Sequence, residues 1–132
     1  MKEKEIKVLK VEPGKAPEMV TLTNTLEDLQ KAVSIGADYV GLIEIVDLDS
    51  KTCILCNEEG KLIGLEPNRI LGRDILCGVF YVCGQDRCGN LTSLKDDKLE
   101  FYKDYFAKRV IISPDDIADS VFVEFIPLED EE

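Results

Sequence analysis

From Glu5 to Val11 the chain sets Ile6, Val8 and Val11 among Lys and Leu, a short amphipathic pattern that predicts a strand. Glu12-Pro13-Gly14-Lys15 then supplies Pro and Gly for a turn, and Glu18 to Leu22 reads as a second strand folding back in a hairpin. The period changes at Asn24-Thr25-Leu26-Glu27. Asn24 can cap a helix and Glu27 can reach back to the cap, while Leu26, Leu29 and Val33 recur on one helical face and Gly36 is placed to end it.

Tyr39 to Leu48 is rich in β-branched and apolar residues and predicts a strand. Thr52 to Asn57 and Lys61 to Ile63, around Glu58-Glu59-Gly60, predict a hairpin. Gly64 to Arg69 reads as a loop because Pro67 disfavours helix before it and cannot donate to a sheet. Ile75 to Gly84 is a near-continuous apolar run, expected as one central strand, followed by a turn and a short strand ending near Thr92. Ser93, Asp96 and Asp97 open a second helix whose inward face carries Leu99, Tyr102 and Phe106, with Phe101 and Tyr105 beside it. Further strands are expected at 110–112 and 121–126. The order of elements predicts a single α+β domain, a mainly antiparallel sheet with two helices packed on one face.

A length of 132 residues with 45% apolar and 33% charged side chains suits one folded domain and excludes a disordered or low-complexity class. The net charge of -11 argues against gripping nucleic-acid phosphates or anionic membrane with the whole surface. Its placement is uneven. Residues 113–132 hold eight acidic and no basic side chains, whereas the first 112 carry a net charge of only -3. The chain therefore divides into an α+β domain, 1–112, and an acidic C-terminal extension, 113–132. No apolar run approaches the roughly 20 residues of a membrane span, and the N-terminus lacks a signal-peptide pattern, so a cytoplasmic protein is expected.

There is no histidine, which removes Ser-His and Cys-His nucleophiles and histidine metal sites together. Cys53 and Cys56 have knuckle spacing, but three residues apart on a strand they point to opposite faces. The five cysteines are expected as reduced thiols, and neither a metal nor a cofactor is expected. The acidic pairs Glu58-Glu59 and Asp115-Asp116 fall in solvated turns, where nothing separates their pKa values for acid and base work. Lys15 in its Gly turn, and Asn68-Arg69 after Pro67, are the candidates for contacting an anion or a partner carboxylate, with a structural loop anchor as the competing role for Asn68-Arg69.

The segments Val11-Glu12-Pro13-Gly14-Lys15-Ala16-Pro17-Glu18, Asn24 to Val33, and Cys56-Asn57-Glu58-Glu59-Gly60-Lys61-Leu62-Ile63-Gly64-Leu65-Glu66-Pro67-Asn68-Arg69 follow one another in a distinctive order. The sequence resembles an uncharacterised family, a domain of unknown function, of small phage, plasmid and conjugative-element proteins. The likeness runs through Gly78-Val79-Phe80 and the second helix, while the connection between Val33 and Ile43 is longer than the family's usual Gly turn and the acidic end lies outside it. The resemblance implies a genetic setting in which small acidic non-enzymes block host defences.

These readings lead to a non-catalytic binding protein that inhibits a host nuclease system of the restriction or CRISPR type, by protein contact or nucleic-acid mimicry. The expected partner is a host protein with a basic groove, with no direct nucleic-acid or membrane contact; an oligomer is allowed. Its acidic contact residues would be Asp115, Asp116, Asp119, Glu124, Glu129 and Asp130. The alternative is a nucleotide-binding sponge or sensor using Lys15, Asn68 and Arg69.

Overall fold

A computed structural model describes residues 4–108. Ten elements follow in order: β1 (Glu5–Val11), β2 (Glu18–Thr23), α1 (Leu26–Ala32), β3 (Ile43–Asp49), β4 (Thr52–Asn57), β5 (Pro67–Leu71), β6 (Asp74–Cys77), β7 (Phe80–Gln85), β8 (Leu91–Thr92) and α2 (Asp96–Ala107). The main sheet runs β2-β1-β7-β4-β3, with β8 continuing on β7, and every pairing is antiparallel. A separate ribbon pairs β5 with β6. The α+β class is as the pattern predicts: one small domain, mainly antiparallel sheet, two helices.

The helices cover opposite faces of the sheet, which corrects the expectation that both share one. Leu9, Val11, Ile54, Phe80 and Val82 pack with Tyr102, Tyr105 and Phe106 of α2. Ile6, Val8, Cys53, Leu55, Tyr81 and Cys83 pack with Leu29 and Val33 of α1. Successive residues of β1, β4 and β7 thus feed two cores, and all six residues of β4 are buried.

Three local readings also change. The predicted hairpin from β4 to 61–63 does not form, because β3 and β7 already take both edges of β4. Residues 57–65 instead wind through consecutive turns, with the amides of Gly60, Ile63 and Gly64 bonded to the carbonyls of Asn57, Glu59 and Lys61. The β4 hairpin is made with β3, across Ser50-Lys51. The apolar run 75–84 is two strands, broken where Gly78 adopts a φ of +85°, a conformation that disfavours any other residue. The expected loop at 64–69 ends in β5, with Pro67 at the first position of the strand, where a missing donor is tolerated.

Both helix starts shift by a residue or two. Thr25 caps α1, accepting from the Asp28 amide and donating to the Asp28 carboxylate at 2.8 Å, because Asn24 is buried and donates to the Leu91 carbonyl. Leu26, expected inward, is exposed. Ser93 does not cap α2. Its hydroxyl accepts from the Lys7 amide, and Lys95 stands at the cap position without a side-chain bond. The expected strands at 110–112 and 121–126 lie outside the described residues, and among those described no helix is long and apolar enough to cross a membrane.

Candidate functional site

The two motif segments that are far apart in sequence meet inside the protein. Arg69, on β5, is fully buried, and its guanidinium faces carbonyl oxygens. Nε donates to the Phe106 carbonyl at 2.7 Å, Nη1 to the Glu12 carbonyl and to Asn68 Oδ1, and Nη2 to the Lys15 carbonyl at 2.5 Å. Asn68, equally buried, donates to the carbonyls of Val11 and Gly78. Together they fasten the β1–β2 turn, the start of β7 and the end of α2. The last carbonyls of a helix lack intrahelical partners and carry partial negative charge, and α2 has no basic residue in its last turn. Arg69 supplies that cation from outside the helix.

The fork of Arg69 and the amide of Asn68 are therefore turned on backbone within the fold rather than outward to a ligand. Burial pulls the Arg69 pKa down from its ordinary value, yet a guanidinium at this height stays charged. Lys15 joins this cluster only through its carbonyl. Its ammonium is exposed, 3.9 Å from the Glu12 carboxylate. The acidic candidates Asp115, Asp116, Asp119, Glu124, Glu129 and Asp130 lie outside the described residues.

All five thiols are free. Cys53 belongs to the α1-side core and Cys56 to the α2-side core, so one ion cannot take both sulfurs. Burial pushes each of these thiols up to about 12, and Cys83 well above its ordinary value, which leaves them protonated and unreactive. Among the described residues no three acidic or thiol side chains gather as metal ligands.

Pattern reading missed the surface built by the connection from α1 to β3. Ser34, nearly buried, accepts from the Gly41 amide at 2.9 Å and from Asn57 Nδ2. The Tyr39 hydroxyl donates to Glu59, and the Glu58 amide to the Leu42 carbonyl. A Cβ on Gly41 would lie 3.1 Å from Asn57 Nδ2, so the glycine permits this close approach. The segment is thereby held against the turns at 57–65 with Ile35, Tyr39, Val40 and Leu42 more than half exposed, and Leu62, within those turns, is 85% exposed. Ile45, on the edge strand β3 and directed to the same face as α1, is also exposed. Asp38, Glu58 and Glu59 in the same segments are exposed, while Glu44, also exposed, turns to the α2 face of β3. The signal available in the sequence was the lengthened connection itself, an apolar stretch between two elements.

The opposite end of the sheet edge, on the α2 face, is a cleft of about 900 Å³ between the β3–β4 turn, the β7–β8 turn and the start of α2. Behind it the Asp49 carboxylate accepts from the Tyr102 hydroxyl at 2.8 Å and from the Lys98 ammonium at 3.2 Å. Burial alone would raise the Asp49 pKa, but the Lys51 amide and these two donors outweigh it and hold the carboxyl below its ordinary value.

No curated protein and no solved structure matches the chain. Residues 6–107 match a domain of unknown function, DUF3846, the span that contains both cores and the Asn68-Arg69 anchor, and the chain belongs to that family.

Proposed function

We propose that this chain is a non-catalytic binding protein of a phage or other mobile element, and that it inhibits a host nuclease system by contact with a basic protein surface. The supporting observation is the exposure of Ile35, Tyr39, Val40 and Leu42 on the α1–β3 connection and of Leu62 on the turns that hold it, with Asp38, Glu58 and Glu59 exposed in the same segments. An apolar centre with a polar rim is how protein interfaces are built, and large apolar side chains held exposed by specific hydrogen bonds call for a cover. The acidic rim selects a cationic partner, the kind of surface that restriction or CRISPR effectors present to phosphates. The carboxylates of residues 113–132 add to the same charge.

Binding of the full chain to candidate effectors, with their nuclease activity as the readout, tests this. Val40→Asp and Leu62→Asp together are expected to abolish binding while the melting temperature holds. Removal of residues 113–132 is expected to weaken inhibition and flatten its salt dependence. Binding indifferent to both changes overturns the proposal.

A further inference from the structure

We propose that the cleft at the start of α2 is a binding site for a small phosphate-bearing anion. Its lining joins Lys51 and Ser50 from the β3–β4 turn, Arg87 from the β7–β8 turn, and Lys95 and Lys98 from the start of α2, against two acids, Asp86 and Asp97. On a chain with a net charge of -11 this is a local excess of positive charge.

The charges are not used up inside the fold. Lys51, Arg87 and Lys95 are exposed and make no ion pair with the described residues, while Lys98 holds Asp49. Asp86 is turned into its own loop, where its carboxylate accepts from the amides of Cys88 and Asn90, both at 2.9 Å. Asp97 is the acid that remains facing the cleft.

Two further features point to an anion. The first amides of α2, a helix of twelve residues, have no side-chain cap, so their donors and the positive end of the helix dipole open here. At the floor, Thr52 is fully buried, and its hydroxyl is the only buried side-chain oxygen or nitrogen among the described residues without a hydrogen-bond partner. Its oxygen also stands beside the Asp49 carboxylate and helps to hold that carboxyl low. A hydroxyl can donate to a phosphate oxygen. Gly84, opposite Thr52 in the β4–β7 pairing, lets Thr92 and Ser93 pack closely beside the floor. A Cβ there would lie 2.5 Å from Thr92 Oγ1 and 2.6 Å from the Ser93 carbonyl, forcing apart the strand that leads into α2.

The volume lies within the range of about 300–1,000 Å³ that small-molecule sites occupy. A small ligand fits better than a nucleic-acid strand, because a long polyanion leaving the cleft would meet the acidic remainder of the surface.

Calorimetric titration of the full chain with inorganic pyrophosphate, and separately with a mononucleoside triphosphate, at fixed ionic strength tests the site. Saturable binding is expected, at least tenfold weaker in Arg87→Ser/Lys95→Ser and severalfold weaker in Thr52→Val, with melting temperatures of both variants at or above that of the parent. Lys31→Ser, on α1 across the sheet, is expected to bind as the parent does. Absence of saturable binding, equal loss in Lys31→Ser, or tighter binding of a twelve-nucleotide single strand than of either small ligand overturns the proposal. Because Val40 and Leu62 lie outside the cleft, Val40→Asp/Leu62→Asp is expected to keep pyrophosphate binding, so failure of this site and failure of the protein-contact reading are separable.

Discussion

A guanidinium buried without a carboxylate must find its compensation in dipoles. Arg69 does so with the carbonyls of Glu12, Lys15 and Phe106, and removing it takes away the donor that ties these three segments together, although the Glu12 and Phe106 oxygens keep the amides of Lys15 and Lys108. Arg69→Met is expected to cost about 3 kcal/mol or more. Arg69→Lys keeps the charge but not the fork, so it is expected to recover only a minor part of that. Urea unfolding reads both as a lower midpoint at constant slope, and a lysine variant as stable as the parent would disprove the fork's role. Thr52 predicts the opposite sign. Its hydroxyl is buried without a partner, so Thr52→Val is expected to leave the urea midpoint unchanged or raise it.

At the scale of elements, α2 is held by its aromatic face and by Asp49. Tyr102, Tyr105 and Phe106 are buried, with Phe80 and Phe106 rings edge-on at 5.1 Å, as the spacing of Leu99, Tyr102 and Phe106 anticipates. Phe101 is left half exposed. The Asp49 carboxyl titrates lower in the folded chain than its ordinary 3.8, so its contribution is complete above that value and lost as pH falls through the lowered one. Asp49→Asn is therefore expected to flatten the fall in the urea midpoint between about pH 5 and pH 2. The open N-terminus gives another prediction. Lys95→Ser supplies an acceptor at the cap and is expected to stabilise the fold by about 1 kcal/mol, measured as an upward shift in midpoint. A cap that improves stability while weakening anion binding would explain why lysine stands there.

The strands and helices were legible wherever the signal was local, as in the Pro-Gly turn of the β1–β2 hairpin and the periodic buried faces of both helices. Legibility failed where the neighbour was distant. Nothing local tells residues 61–63 that β3 and β7 already flank β4, and nothing local tells that Gly78 splits an apolar run between two sheets. The same limit governs the site. Asn68-Arg69 looked available for a ligand because most of its acceptors, on Val11, Glu12, Lys15 and Phe106, are separated from it by 37 to 57 residues, and the cleft draws its cations from two turns and a helix start.

For the whole molecule the decisive quantity is where stability and charge reside. Among the described residues the buried apolar side chains of the two cores run from Ile6 to Phe106, while most of the net negative charge lies beyond residue 112. The two properties are therefore separable. A chain ending at Ile112 has a net charge of -3 in place of -11 and retains both cores and the Arg69 cluster. Its melting temperature is expected within a few degrees of the full chain, since no described core residue is removed and the charge that opposes compaction falls. Association with a basic partner should behave differently. Long-range attraction scales with the charge removed, so the association rate should drop and its dependence on ionic strength should flatten, while dissociation, governed by the apolar contact around Val40 and Leu62, should change little. Stopped-flow measurement of both rates across salt concentrations checks this. If truncation instead raised the dissociation rate and left association untouched, residues 113–132 would be part of the contact itself rather than a source of steering charge.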